Sequence, residues 1–212
     1  MKVTTFRLED PEYEQVGEAT WGQHQAVFDV PTLPAYAVVD SQLTLDPTIL
    51  SRENHVTPTH EVNGGRVITG AHKLFAFDKM SGVLTLYHNG IKDYEALFPH
   101  IEKPALKARL GQFAAEAESA FNSQSWFSYC MMVGGVLEGL LFARFGNLNF
   151  AVLIDRALEE ELITETESVL FHEVRSIRNR IHASRCDEPS ADRKIALELS
   201  VSYDRLIKRR WL

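Results

Sequence analysis

Cysteine is scarce in this chain: Cys130 and Cys186 are the only two in 212 residues. Cys130 falls in an apolar helix-like stretch and Cys186 in a polar loop, so no disulfide framework is expected. Neither Cys-x-x-Cys nor His-Glu-x-x-His occurs, which leaves no recognisable zinc spacing. The eight histidines are scattered, and His55, His60 and His72 read as loop and surface residues rather than as ligands. No metal or other cofactor is therefore expected. No apolar run approaches the roughly twenty residues that a bilayer crossing needs. The opening residues, Met1-Lys2-Val3-Thr4-Thr5-Phe6, lack the apolar core of a signal peptide. These absences lead to the expectation of a cytoplasmic protein without a membrane partner. Internal repeats and low-complexity tracts are also lacking.

Positive charge is in deficit overall, with 22 Lys and Arg against 29 Asp and Glu, for a net charge of −7. Such a balance argues at first against a nucleic-acid partner. Its distribution reverses that argument. Residues 171–212 hold ten Lys or Arg against six acids, a balance of +4, while residues 1–170 carry −11. The basic charge is concentrated near the end of the chain.

The pattern of what is present predicts an α+β protein in two parts. Residues 1–98 read as a small β-rich domain, a candidate sensor or regulator. Short apolar runs at 26–30, 35–39 and 66–69 are punctuated by Pro31, Pro34, Asp46-Pro47 and Asn63-Gly64-Gly65. A hairpin is expected from 73–77, a turn at 78–82 and a second arm at 83–87, with a polar break at His88-Asn89-Gly90. Trp21, Phe28, Phe75 and Phe77 read as core aromatics. Pro99 and Pro104 bracket a change of period, and helical spacing governs 104–212.

Five helices are expected there. The first, 105–122, places Leu106, Leu110, Phe113, Ala114, Ala117 and Phe121 on one face. The second, 125–145, is apolar nearly all round, as suits a bundle centre or a subunit interface. Its Gly134-Gly135 pair implies close approach of a neighbouring helix. The third, 150–162, turns Leu153, Ile154, Ala157 and Leu158 inward. Thr164-Glu165-Thr166-Glu167 is a capping box that opens the fourth. The fifth starts at Ser190 as N-cap and runs to Arg210, burying Ile195, Leu199, Val201, Leu206 and Ile207.

The fourth helix carries the chain's most informative stretch, Phe171-His172-Glu173-Val174-Arg175-Ser176-Ile177-Arg178-Asn179-Arg180-Ile181-His182. Continued as a helix, it aligns Arg175, Arg178 and His182 at i, i+3 and i+7. Val174, Ile177 and Ile181 can then face a core. The segment order is an apolar helix with Gly-Gly-Val-Leu-Glu-Gly-Leu-Leu, a helix of Leu-Ile-x-x-Ala type, then Ile-Arg-Asn-Arg-Ile-His-Ala. Over residues 104–210 this resembles the HEPN superfamily (higher eukaryotes and prokaryotes nucleotide-binding), all-α bundles with an Arg followed by a polar residue and separated from a His by four to six intervening residues. Arg175 satisfies that spacing to His182 with Ser176 where the family often has Asn, and Arg178-Asn179 has the favoured dipeptide but one residue too few.

The resemblance implies a metal-independent endoribonuclease of defence or toxin–antitoxin type, acting on RNA as a homodimer with a shared cleft, with an antitoxin or other protein as a candidate partner. Arg175, Arg178, Asn179 and His182 would be its catalytic residues. His182 would move protons near neutral pH, an arginine would stabilise the charge that builds on phosphate, and Asn179 would orient one or the other. Other members of the superfamily are non-catalytic, so an adaptor binding nucleotide, RNA or a protein through the same residues stands as the alternative. The same residues can also hold a bundle together without reacting, with Glu138 or Glu173 as partners of the arginines.

Overall fold

The computed structural model describes residues 1–16, 23–46, 59–72 and 80–209. The chain divides into two compact units, Met1–Leu97 and Phe98–Leu212, so that the division falls where the proline-bracketed segment begins. The architecture is α+β, with strands in the first unit and helices in the second.

Seven strands make up the first unit among the described residues: β1 (Lys2–Leu8), β2 (Glu12–Val16), β3 (Gln23–Asp29), β4 (Tyr36–Leu45), β5 (His60–Asn63), β6 (Arg66–His72) and β7 (Gly82–Ile91). They form two antiparallel sheets, ordered β1-β7-β4 and β2-β3-β6-β5. Alternation decides which side of each strand is buried: Phe6 and Leu8 on β1, Leu43 and Leu45 on β4, Leu84 and Leu86 on β7. Gly64 and Gly65 close the β5–β6 hairpin as a two-residue loop, both with left-handed φ (56° and 95°), which glycine adopts without strain. Ser41 Oγ on β4 lies 2.8 Å from His60 Nε2 on β5, joining the two sheets.

Two sequence expectations change here. The arm at 83–87 is part of β7, whose two edges are taken by β1 and β4; the opposing arm 73–77 lies outside the described residues. Trp21, Phe75, Phe77 and His55 lie outside them as well. The break at His88-Asn89-Gly90 is not a break, because β7 continues to Ile91 with His88 only 3% exposed. The polar ring is satisfied there: its Nδ1 accepts from the Gly90 amide at 3.1 Å, its Nε2 lies 3.3 Å from Thr4 Oγ1, and it stands edge-on to Tyr36. Buried polar groups with partners do not end strands.

The second unit is a bundle of α1 (Pro104–Asn122), α2 (Trp126–Phe145), α3 (Phe150–Glu159), α4 (Glu165–Asn179) and α5 (Arg193–Ile207). Helix α2 is its axis and packs against each of the other four. At twenty residues, with mean hydropathy 1.4 over eighteen of them, it is long and apolar enough to cross a membrane, contrary to the expectation that no stretch would be. In the bundle it buries Tyr129, Cys130, Val133, Val136, Leu137, Leu140 and Leu141. Its glycines are contact points. A Cβ on Gly134 would stand 2.9 Å from Val174 Cγ1 and 2.8 Å from Arg178 Cδ, and one on Gly135 would stand 2.9 Å from the Phe113 ring.

The capping box of α4 is present, with the Glu167 amide donating to Thr164 Oγ1 (3.2 Å) and the Thr164 amide to Glu167 Oε2 (2.8 Å). Glu167 is 2% exposed and also accepts from Arg205 of α5 at 2.5 Å. The N-cap of α5 is Asp192 rather than Ser190, because its carboxylate takes the Ile195 amide at 3.0 Å. Helix α5 ends at Ile207 and leaves Val201 exposed, and α3 stops at Glu159, two residues before Glu161 turns left-handed (φ 56°).

Candidate active site

Helix α4 presents Leu170, Phe171, Val174 and Ile177 to the bundle core. A residue three or four positions on from Val174 or Phe171 lies at the edge of that face, and Arg178 occupies this edge. Its Nη1 donates to Glu138 Oε2 of α2 at 2.7 Å, and its guanidinium carbon stands 5.4 Å from the centre of the Phe150 ring at the start of α3. Gly134, one turn before Glu138 on α2, leaves space for the arginine's stem. Arg178 thus ties three helices together by charge, ring face and packing.

Arg175, one turn earlier, is in a different state. It makes no hydrogen bond or ion pair among the described residues, and its Nε is buried without a partner. A buried donor on a permanently charged group is costly to leave unmade, and an arginine keeps its charge at any physiological pH. The Asn179 side chain also has no hydrogen-bond partner among the described residues. The backbone carbonyl of Asn179 accepts a long hydrogen bond, 3.4 Å, from the His182 amide.

His182 does not continue the helical face. Helix α4 ends at Asn179, Arg180 is its C-cap, and His182 is the extended residue (φ −75°, ψ 131°) before a 3-10 turn at Ala183–Arg185. Arg175, Arg178 and His182 therefore do not form one stripe. Ile181, placed in the core by helical periodicity, is 58% exposed. The physical cause is the Arg180 side chain, which turns toward the following loop: its Nε donates to Glu188 Oε2 at 3.2 Å and its Nη1 to the Pro189 carbonyl at 2.6 Å. The imidazole of His182 is exposed in that loop.

The last turns of α4 and the loop after it thus carry an unpaired guanidinium, an unpaired carboxamide and an exposed imidazole, with a second guanidinium already neutralised. Such groups can bind a phosphate and move protons near it. The thiol nearest the bundle centre does not belong to this set, since burial, with Glu173 and Asp192 nearby, pushes Cys130 up to about 11 and keeps it protonated. Among the described residues no group of three or more His, Cys, Asp or Glu is placed to hold a metal ion. Sequence reasoning named Glu138 as a possible partner of the arginines, but it missed Phe150, Arg180 and Glu188. The acid at 188, beside a proline and after a run of arginines, was the available signal. No known protein family, curated protein or solved structure matches the chain.

Proposed function

We propose that the protein is a metal-independent endoribonuclease of the HEPN type, with Arg175 and His182 at its reactive centre. The observation that carries this reading is Arg175, a half-buried guanidinium with no partner, in the last turns of the helix that Asn179 ends and that His182 follows three residues on. In the reaction the 2′-hydroxyl loses its proton and its oxygen bonds to the adjacent phosphorus. The bond from phosphorus to the 5′-oxygen breaks, leaving a 2′,3′-cyclic phosphate and a protonated 5′-hydroxyl. His182 moves a proton in these transfers, as imidazole does near neutral pH. Arg175 donates to the non-bridging oxygens as negative charge accumulates on them. Asn179 orients the phosphate. Arg178, tied to Glu138, keeps α4 seated on α2.

One imidazole per chain cannot act as acid and base at once, so the working form is a homodimer in which two α4 ends share a cleft. The excess basic charge in residues 171–212 favours an RNA backbone over other partners. The setting is cytoplasmic, in anti-phage defence or opposite an antitoxin, with the β-rich unit as sensor or regulator. Purified full-length protein incubated with single-stranded RNA tests the reading: cleavage that disappears in His182→Ala supports it, and absence of cleavage by wild type overturns it.

The Glu138–Arg178 ion pair favours a second reading, a non-catalytic adaptor of the same type, because it withdraws one of the two cations from any ligand. Salt-sensitive RNA binding lost in Arg175→Ala, with no cleavage product, would decide for the adaptor.

A further inference from the structure

The loop that follows α4 is tied by one acidic side chain. Arg180 and Arg185 flank His182 in sequence, and Glu188 reaches both: Oε2 accepts from Arg180 Nε at 3.2 Å, and Oε1 lies 3.5 Å from Arg185 Nη1. The Arg180 side chain is only 17% exposed, and it also donates to the Pro189 carbonyl. The backbone between them steps through a chain of turns: the His182 amide to Asn179, the Arg185 amide to His182 (2.9 Å) and the Glu188 amide to Arg185 (3.1 Å). His182 thus sits in a short loop whose two ends are joined by a charge-assisted contact from the helix terminus to residues 188 and 189.

We propose that Glu188, through Arg180, is the positioning residue that fixes the loop presenting His182. This rests on the reading of His182 as the proton-transfer group, and it deepens that reading by naming what holds the imidazole. These three backbone hydrogen bonds, with a fourth from the Cys186 amide to Ala183 (3.3 Å), cannot hold one conformation in an exposed loop against chain entropy by themselves. The Arg180–Glu188 contact supplies the missing constraint, as charge-assisted hydrogen bonds are about twice as strong as neutral ones. Arg185, more exposed and more distant, adds little.

The test uses the full chain and two readouts. Amide hydrogen exchange at Arg185 and Glu188 should quicken roughly tenfold in Glu188→Gln, which removes about 1.4 kcal/mol of loop closure, and change little in Arg185→Gln. Amides of α2 should not change, which separates loop release from loss of fold. Arg180→Lys keeps the charge but cannot span Glu188 and Pro189 together, and it should behave like Glu188→Gln. In RNA cleavage Glu188→Gln should lower kcat about tenfold and leave KM unaltered, since RNA is still bound. Unchanged exchange in Glu188→Gln overturns the clamp. Quickened exchange with unchanged kcat overturns its role in positioning. If wild type cleaves no RNA, the ribonuclease reading fails, and the exchange result still decides whether Glu188 holds the loop.

Discussion

Arg175 and Arg178 are the same residue type one helical turn apart, and the proposed function gives them opposite tasks because only Arg178 is paired. Removing Arg178 leaves Glu138 without its cation and Phe150 without its cover. Arg178→Ala should therefore cost about 1–2 kcal/mol in urea unfolding, moderate because both partners are partly exposed. Arg175→Ala removes an unpaired buried donor, so stability should stay within about 0.5 kcal/mol of wild type or rise, while RNA cleavage is lost. If Arg175→Ala proves the more destabilising of the two, the division of tasks is wrong. The choice between these arginines was hidden in the sequence, because spacing to His182 favours one and the neighbouring Asn favours the other. Only the placement of Glu138, forty residues away, separates them. The position of His182 was not legible, since the tie from Arg180 to Glu188 and Pro189 ends the helix before its periodicity does.

At the scale of elements, the seating of α4 on α2 depends on a glycine. Gly134→Ala would gain about 1 kcal/mol of helix propensity, yet its Cβ would meet Val174 Cγ1 at 2.9 Å, and Val174 is fully buried and stiff at χ1. Overpacking of this kind costs about 1–3 kcal/mol, so a net loss in thermal unfolding is expected. An unchanged or raised melting temperature would show that α4 can shift without penalty. The helices were the most legible part of the chain, because Pro104, the capping box and the apolar periodicity all act locally. The strands were less so. His88 passed for a turn residue because its partners, Thr4 and Tyr36, are distant in sequence. Val201 passed for a core residue although α5 turns it outward.

For the whole molecule, acidification should weaken the second unit over two overlapping pH ranges. Burial, with Lys107 nearby, lowers His100 from 6.5 to about 4, so the unfolded chain takes up this proton first. Stability contributed by neutral His100 is complete above pH 6.5 and is lost as pH falls toward 4, a change on the order of 1–3 kcal/mol. Burial alone would raise Glu167, but hydrogen bonds from Arg205 and from the Thr164 amide and hydroxyl outweigh it and hold the carboxyl below its usual 4.5. Its contribution is complete above 4.5 and is lost at lower pH. Urea midpoints across pH 7 to 3 should fall in both ranges, and His100→Gln should remove the upper loss alone. Dimerisation belongs to this scale as well. If two α4 ends share a cleft, specific activity should fall as the protein is diluted through the dimer's dissociation range, whereas a self-sufficient monomer would keep it constant.

The most direct measurement is the chemistry of the RNA ends produced by purified full-length protein in excess EDTA. Expected are 2′,3′-cyclic phosphate and 5′-hydroxyl ends from wild type, and no product from Arg175→Ala or His182→Ala. Products ending in 5′-phosphate, cleavage abolished by EDTA, or undiminished cleavage by both variants would contradict the assignment of Arg175 and His182 as the reactive pair.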